Sequence, residues 1–293
     1  LCKIVGYSKD ELMGMNNKEY TSPKTAQQAL KIFKQIYSTG EPATIADYEI
    51  LRKDGSIRIN DMSASLLTDS SGTPVGFRGV TRDITERRTA GLELEKSSEK
   101  LERMLEETIQ TLAFTVEVRD PYTAGHQQRV AQLASAISRK MGLPSEKAKG
   151  VKMAAIIHDV GKIQIPAEIL SKPGSLTQDE MALIRTHPEV GSNILKRIEF
   201  HWPISEIVLQ HHERINGSGY PHGITGREIH MEAKIIAVAD VVEAMVSHRP
   251  YRSALKETRA IEEISQNKGV LYDTEVVEAC LALITEDGFT FNQ

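Results

Sequence analysis

The pattern of hydrophobic and polar residues changes near residue 85. Before it the pattern is mixed, with one helical stretch and several strand-like runs, and after it the pattern is helical. Residues 24–37 place apolar side chains at helical spacing, and the stretch 38–42, with its Gly and Pro, predicts that this helix ends there. Three runs with strand character follow at 44–52, 56–67 and 75–85, separated by turn sequences. The first segment is therefore predicted to contain an antiparallel meander.

The pattern becomes charged and helical from residue 86 onward. Six residues recur at alternating steps of four and three, which is a heptad seam with two polar positions: Leu94, Ser98, Leu101, Leu105, Thr108 and Leu112. Two interpretations stay open for this short seam. It predicts a parallel coiled coil and hence a homodimer, and the alternative is a connecting helix that packs on its own domain.

The remainder of the chain reads as helices joined by short loops. Three groups of apolar residues have helical spacing: Val130, Leu133, Ala134 and Ile137; Met153, Ala154, Ile156 and Ile157; and Ile236, Val238, Ala239 and Val242. Residues 177–180 have the spacing of a capping box, which predicts a helix that begins there and carries His187 near its far end. The predicted parts are an α+β domain at 1–85, a helical linker at 86–116 and an all-α domain at 117–293.

Length, charge and cysteine content limit the class of protein. A chain of 293 residues is long enough for two domains, and a net charge of −4 gives no general attraction for DNA or anionic lipid. The presence of only Cys2 and Cys280 argues against a disulfide framework and favours a reducing, cytoplasmic location. No apolar run reaches the ~18 residues of a membrane span. The start at Leu1 rather than Met leaves open whether further sequence precedes it.

The candidate chemistry is confined to the second half, because all nine histidines lie between His126 and His248. His158 and Asp159 lie inside an apolar helical run, where burial of the pair costs several kcal/mol unless each group is paired or binds a metal. Imidazole and carboxylate donors together suit Fe, Mn, Zn, Ni or Co. Since a carboxylate can bridge two ions, Asp159 is the expected bridge.

His211 and His212 strengthen the prediction of a metal site. A single buried histidine is more often structural than a ligand, but neighbouring residues of a helix point about 100° apart and are hard to explain together as core packing. Such a pair could serve two neighbouring metal ions.

The first segment carries motifs of a known family. Gly6-Tyr7-Ser8, Glu11-Leu12, Gly14 and the closing run 79–88 resemble the later part of a PAS sensor domain. The first two strands of that family would lie before Leu1, so the PAS sheet is expected to be incomplete in this chain.

The second half carries eight short motifs: Tyr122-Thr123-Ala124-Gly125-His126, the run from His158 to Lys162, Lys172-Pro173-Gly174, His187-Pro188, His211-His212-Glu213-Arg214, Gly217-Ser218-Gly219-Tyr220-Pro221, Val238-Ala239-Asp240 and Arg249-Pro250-Tyr251-Arg252. Their order resembles that of an HD-GYP domain. The resemblance implies a helical metal phosphohydrolase that cleaves cyclic dinucleotides, typically cyclic di-GMP, to linear pGpG or GMP.

The resemblance also implies roles for individual residues. It implies metal ligands at seven positions: His126, His158, Asp159, His187, His211, His212 and Asp240. Lys162 would contact a substrate phosphate and act with Asp159 in catalysis, and Arg249 and Arg252 would grip the dinucleotide.

Three positions depart from the pattern of the family. Tyr122 stands where members with three metals carry Glu, which favours two divalent ions, with Fe or Mn first and Ni, Co, Zn or Mg as alternatives. Asn216 stands where Asp usually precedes the Gly-Ser-Gly run, and it and Tyr220 are candidate substrate-binding residues. Glu243 replaces an Asp three residues after Asp240 and differs from it in reach.

The predicted function is a phosphodiesterase for cyclic di-GMP in bacterial second-messenger signalling, regulated by the PAS segment. Two alternatives stay open: a 3'3'-cyclic GMP-AMP phosphodiesterase, and a catalytically weak module that binds cyclic dinucleotides or senses redox state. The loop around Tyr220 is predicted to line the substrate entrance or to dock a protein partner.

Overall fold

The structure, a computed structural model, describes residues 1–119, 125–247 and 257–291 of the chain. The chain divides into two compact units, Leu1–Glu102 and Arg103–Gln293. Within the described residues, no helix is both long enough and apolar enough to span a membrane.

The first unit is a small helical layer on a three-stranded sheet. Its elements are α1 (Cys2–Val5), α2 (Lys9–Leu12), a 3-10 helix (Asn17–Glu19), α3 (Pro23–Thr39), β1 (Ala43–Leu51), β2 (Ile57–Thr68) and β3 (Pro74–Asp83). The strands lie in the order β1-β2-β3 and both pairs are antiparallel. The predicted helix and meander are therefore confirmed.

The core of the first unit lies between α3 and the sheet. Ser22 caps the start of α3 and Pro23 occupies its first turn, where the missing N–H of proline costs nothing. β1 buries Ile45, Tyr48 and Ile50 against Ala29 of this helix, and an irregularity in the register between Ile45 and Tyr48 keeps them on one face. The fixed register of β1 follows from this burial, since a slip of one residue would expose all three.

Helix α4 (Thr85–Glu117) connects the two units as one continuous element. Its last turns bury Ile109, Ala113 and Val116 in the core of the second unit. By contrast, Leu94 and Leu101 of the heptad seam are 73% and 64% exposed. The end of the helix thus packs on its own unit, as the connecting-helix interpretation predicts, while the seam is exposed in the single chain.

The second unit is all-helical in its described part, so the predicted fold class is confirmed. Its elements are α5 (His126–Lys140), α6 (Ser145–Ile157), a 3-10 helix (Val160–Gln164), α7 (Ala167–Leu170), α8 (Gln178–Ile184), α9 (His187–Leu195), α10 (Ile204–Gln210), α11 (Met231–Val246), α12 (Glu257–Gln266) and α13 (Thr274–Thr285). The apolar positions predicted in α5, α6 and α11 are buried in one continuous core.

The prediction for His187 was wrong in its local structure. The capping box at Thr177 and Glu180 does start α8, but this helix ends at Ile184. His187 is instead the first residue of α9, and Pro188 follows it. The physical reason is that proline lacks an N–H to continue a helix and is favoured in the first turn of a new one.

Gly161 allows the 3-10 helix to pack directly on α9. A Cβ atom at this position would lie 1.9 Å from the carbonyl oxygen of His187 and 2.6 Å from the backbone nitrogen of Gly191. Both neighbours are backbone atoms, so neither can move aside without displacing α9. The absence of a side chain at Gly161 therefore sets the distance between the segment that carries Asp159 and the helix that begins at His187.

We expect Gly161→Ala to destabilise the second unit by roughly 1–3 kcal/mol, since overpacking of a tight contact forces the backbone to shift. Urea unfolding followed by circular dichroism measures the change. Gly91→Ala is the matched control, because a Cβ at Gly91 in α4 meets nothing within 4 Å. That variant should be neutral or gain up to about 1 kcal/mol from better helix propensity. Equal unfolding midpoints for the two variants would contradict the close approach at Gly161.

Candidate metal centre

Seven candidate ligands from separate elements meet in the second unit. His126 begins α5, His187 begins α9 and Asp240 lies within α11. His158 and Asp159 come directly after α6, at its end rather than inside the helix, and His211 and His212 directly follow α10. The structure thus brings all seven residues together. Five of them are buried: His126, His158, Asp159, His187 and His211.

The donor atoms form two groups, and Asp159 lies between them. One group is His126, His158 and Asp159, and the other is His187, His211 and His212, with the ligand atoms of each group within 4.8 Å of one another. Asp159 Oδ2 lies 3.5 Å from His158 Nε2, whereas Asp159 Oδ1 lies 3.4 Å from His187 Nε2. Each carboxylate oxygen therefore faces a different group, which is the arrangement of a bridging ligand.

Local hydrogen bonds orient three of the imidazoles. In each case Nδ1 donates to the backbone carbonyl three residues earlier, with distances of 2.7, 2.7 and 2.5 Å for His158, His187 and His211. Since a carbonyl only accepts, the proton resides on Nδ1 and the Nε2 lone pair remains for a ligand bond. His158 Nε2 is buried without a hydrogen-bond partner. Such an orphaned lone pair fits a metal ion.

The electrostatics of His187, His212 and Asp159 favour the protonation states that bind metal. Burial lowers the pKa of His187 to about 4 and that of His212 to about 3, so both imidazoles are neutral at pH 7. Burial alone would raise the pKa of Asp159, but Lys162, 2.7 Å away, and the nearby histidines hold it well below its usual range. Neutral imidazoles beside ionised carboxylates fit divalent ions with N and O ligands.

Glu243 holds the ring of His126 from the side away from the other ligands. Its carboxylate is 1% exposed and accepts hydrogen bonds from His126 Nδ1, from Arg129 Nε at 2.6 Å and from the Ser247 hydroxyl. His126 Nε2 then points to Asp240 Oδ1 at 3.2 Å. From the sequence, Glu243 was identified only as a residue that replaces the usual Asp of the family pattern. Its spacing of three from Asp240 in a helix could have indicated that the two residues share a face.

The loop after His212 folds back against the centre. Glu213 is buried and its Oε1 accepts the backbone N–H groups of His222 and Gly223 at 2.7 and 3.2 Å. Gly219 passes so close to this residue that a Cβ would lie 2.4 Å from the Glu213 Cα. The Tyr220 ring consequently stacks on His212, with 4.7 Å between centroids and 29° between planes.

Of the remaining predicted substrate-binding residues, the structure describes Asn216 but not the two arginines. Asn216 is exposed, and its Oδ1 accepts the backbone N–H and hydroxyl of Ser218 at 3.0 and 2.7 Å, so its observed contacts stay inside the loop. Arg249 and Arg252 lie outside the described residues, as does Tyr122. Their roles stay predictions.

Models of two known protein families match the chain, one in each unit. A family model described as an HD domain matches residues 110–276, and one described as a PAS fold matches residues 1–81. The seven candidate ligands all lie within the HD match.

Three curated relatives are similar to part of the chain. The cyclic di-GMP phosphodiesterase response regulator RpfG of Xanthomonas campestris is 40% identical over 187 residues, covering 63% of this chain and 50% of that protein. A cyclic di-GMP phosphodiesterase of Thermotoga maritima is 42% identical over 201 residues, covering 66% and 54%. The 3'3'-cGAMP-specific phosphodiesterase 3 of Vibrio cholerae is 33% identical over 164 residues, covering 56% and 36%. The chain spans about half the length of the first two relatives.

We expect the metal-free protein to lose stability as the pH rises from about 6.5 to about 9. Burial would lower the pKa of His126, but hydrogen bonds to Asp240 and Glu243 raise it to about 9 from the ordinary value of 6.5. The proton on His126 therefore stabilises the folded state fully below pH 6.5, and this contribution is lost as the pH passes through 9. Its size is on the order of 3 kcal/mol.

Urea unfolding in the presence of a chelator, at a series of pH values, measures this effect. The variant His126→Gln provides the comparison, because it lacks the group whose proton is lost in this range. A pH dependence in this range that is the same in both proteins would contradict the assignment to His126.

Proposed function

Because the chain belongs to the HD domain family, we propose that it is a metal-dependent phosphodiesterase that hydrolyses a cyclic dinucleotide, with cyclic di-GMP as the first candidate. The family model covers more than half of the 293 residues. The observation that carries the proposal is the position of Asp159, whose two oxygens each face one group of histidines. Two relatives named as cyclic di-GMP phosphodiesterases support the choice of substrate.

Each group of ligands would hold one divalent ion. His187, His211 and His212 form one set, and the other is formed by His126, His158 and Asp240, with Asp159 shared. Bound ions would supply Lewis acidity and activate a water molecule for attack on phosphorus. Iron or manganese suits five imidazoles and two carboxylates, and nickel, cobalt, zinc and magnesium are alternatives.

Lys162 has two roles in this proposal. Its ammonium donates to Asp159 Oδ2 at 2.7 Å and so fixes the orientation of the shared carboxylate. The side chain is only partly buried, so the same charge is accessible to a phosphate that enters the centre. A fixed positive charge at that place stabilises the negative charge that develops on the phosphoryl oxygens during attack.

A second candidate substrate is 3'3'-cyclic GMP-AMP. The relative from Vibrio cholerae that is named as specific for this dinucleotide supports it. Both substrates contain two phosphodiester bonds and at least one guanine, so the metal ligands alone do not distinguish them. Parallel turnover of the two dinucleotides would decide between them.

The heptad seam supports a homodimer. Leu94 and Leu101 are exposed in the single chain, although apolar side chains at this spacing are typical of a helix that faces a second helix. We infer that two copies associate through the first half of α4. The PAS segment directly precedes this helix and would regulate the phosphodiesterase through it.

We expect the purified chain with Mn²⁺ or Fe²⁺, under reducing conditions, to convert cyclic di-GMP to a linear product that chromatography detects. Asp159→Ala should abolish turnover, and Lys162→Ala should lower kcat by on the order of a hundredfold, as for the loss of one fixed electrostatic contact. Lys147→Ala is the matched control, since this lysine is exposed on α6. No product above the Asp159→Ala background would refute the proposal for this substrate. Binding without product in every metal state would instead support a non-hydrolytic binding module.

We expect Leu101→Glu to convert a dimer into a monomer, because a charge at the seam would be buried between the two helices. Light scattering coupled to size-exclusion chromatography measures the mass. Lys96→Glu, an exposed change two residues from Leu94 and off the seam, should leave the dimer intact. A monomeric parent protein at micromolar concentration would contradict the seam.

A further inference from the structure

A cleft of about 780 Å³ lies beside the candidate metal centre. Its walls come from α8, from the start of α9 and from the loop that ends at Pro221, with Tyr220 on the side of the metal ligands. The same Tyr220 ring stacks on His212, and Thr186 in the cleft wall directly precedes His187. The cleft is therefore adjacent to two of the candidate ligand positions, His187 and His212, and its volume is that of a small-molecule site.

The cleft carries one cationic and one anionic side chain. The guanidinium carbon of Arg185 lies 5.5 Å from the centroid of the Tyr220 ring, and both residues line the cleft. Glu189 lines it as well and is exposed. Among the described residues, no carboxylate pairs with Arg185 and no cation pairs with Glu189. Both groups are therefore available to a ligand.

The remaining walls are suited to a flat ring. Leu176, Met181 and Pro221 supply apolar surface. The Tyr220 ring, which also stacks on His212 and lies under the Arg185 guanidinium, adds aromatic surface. Aromatic and apolar walls with a few polar groups at the edge are the usual composition of a pocket that receives a planar ligand.

The two charges match the edges of guanine rather than those of adenine. Guanine offers two acceptors, O6 and N7, to a guanidinium fork, and its N1–H and N2–H groups can donate to a carboxylate. Adenine has an amino donor in place of O6 and no N2 amino group. We propose that this cleft is a guanine-binding subsite in which Arg185 and Glu189 recognise the base. The inference rests on the proposed function for its substrate class, and it adds how one nucleotide of that substrate is selected.

Binding of GMP and AMP to the Mn²⁺-loaded 293-residue chain, measured by calorimetry, tests the subsite without turnover. We expect GMP to bind more tightly than AMP. Arg185→Ala should weaken GMP by on the order of tenfold or more and leave AMP nearly unchanged, as for the loss of one bidentate base contact. Arg185→Lys should not restore the preference, because an ammonium has the charge but not the fork.

The control variant is Arg197→Ala, an exposed arginine that lines a different cleft and should leave both affinities unchanged. Glu189→Gln should reduce the preference for GMP, since an amide is a weaker acceptor than a carboxylate. Equal losses for GMP and AMP in Arg185→Ala, restored by Arg185→Lys, would show phosphate binding and overturn the proposal. GMP binding that is the same in the parent, Arg185→Ala and Glu189→Gln proteins would also overturn it.

Failure of the subsite and failure of the proposed function give different results. If turnover of cyclic di-GMP is present but Arg185→Ala leaves KM and GMP binding unchanged, only the subsite is wrong. If no cyclic dinucleotide is hydrolysed, the preference for GMP over AMP still reports on the cleft by itself.

Discussion

The second unit depends on the burial of one carboxylate. Asp159 lies in the interior, where an isolated charge would cost several kcal/mol and the group would take up a proton instead. The Lys162 ammonium and the surrounding imidazoles keep it ionised, and these groups reach it from α5, α6 and α9. The ionised state of Asp159 therefore depends on the packing of these helices.

The sequence indicated which residues meet at the candidate metal centre, but it did not predict the contacts that position them. The matches to an HD domain and a PAS fold confirm the resemblance that the motifs indicated. The contact between Glu243 and His126 was not predicted, because the two residues are 117 positions apart and meet only when α11 packs on α5. The same is true of Arg185 and Tyr220, which no spacing along the chain relates. Contacts of this kind follow from tertiary packing, for which local periodicity has no signal.

Local sequence signals predicted where helices begin better than where they end or what they pack against. The capping box at Thr177 correctly predicted the start of α8. The predicted helix continued to His187, but the observed helix ends earlier because Pro188 favours the first turn of a new helix. The heptad seam in α4 gave two interpretations that apply to different parts of one helix. At the end of α4, Ile109, Ala113 and Val116 are buried in the core of the second unit. The exposed leucines of this helix lie mainly before these residues. Periodicity detects an apolar stripe, but it does not identify the partner that covers the stripe.

Three of the imidazoles are anchored to the carbonyl oxygen of the residue three positions before them. The orientation of each ring is thus encoded within a single turn of chain and does not depend on the loops that separate the ligands. Insertions and deletions between the motifs would leave the direction of every anchored ring unchanged, whereas one residue gained or lost within an anchoring turn would rotate the ring away from its partners. During divergence, such a centre is expected to vary in the length of its connections and to keep the spacing within each motif.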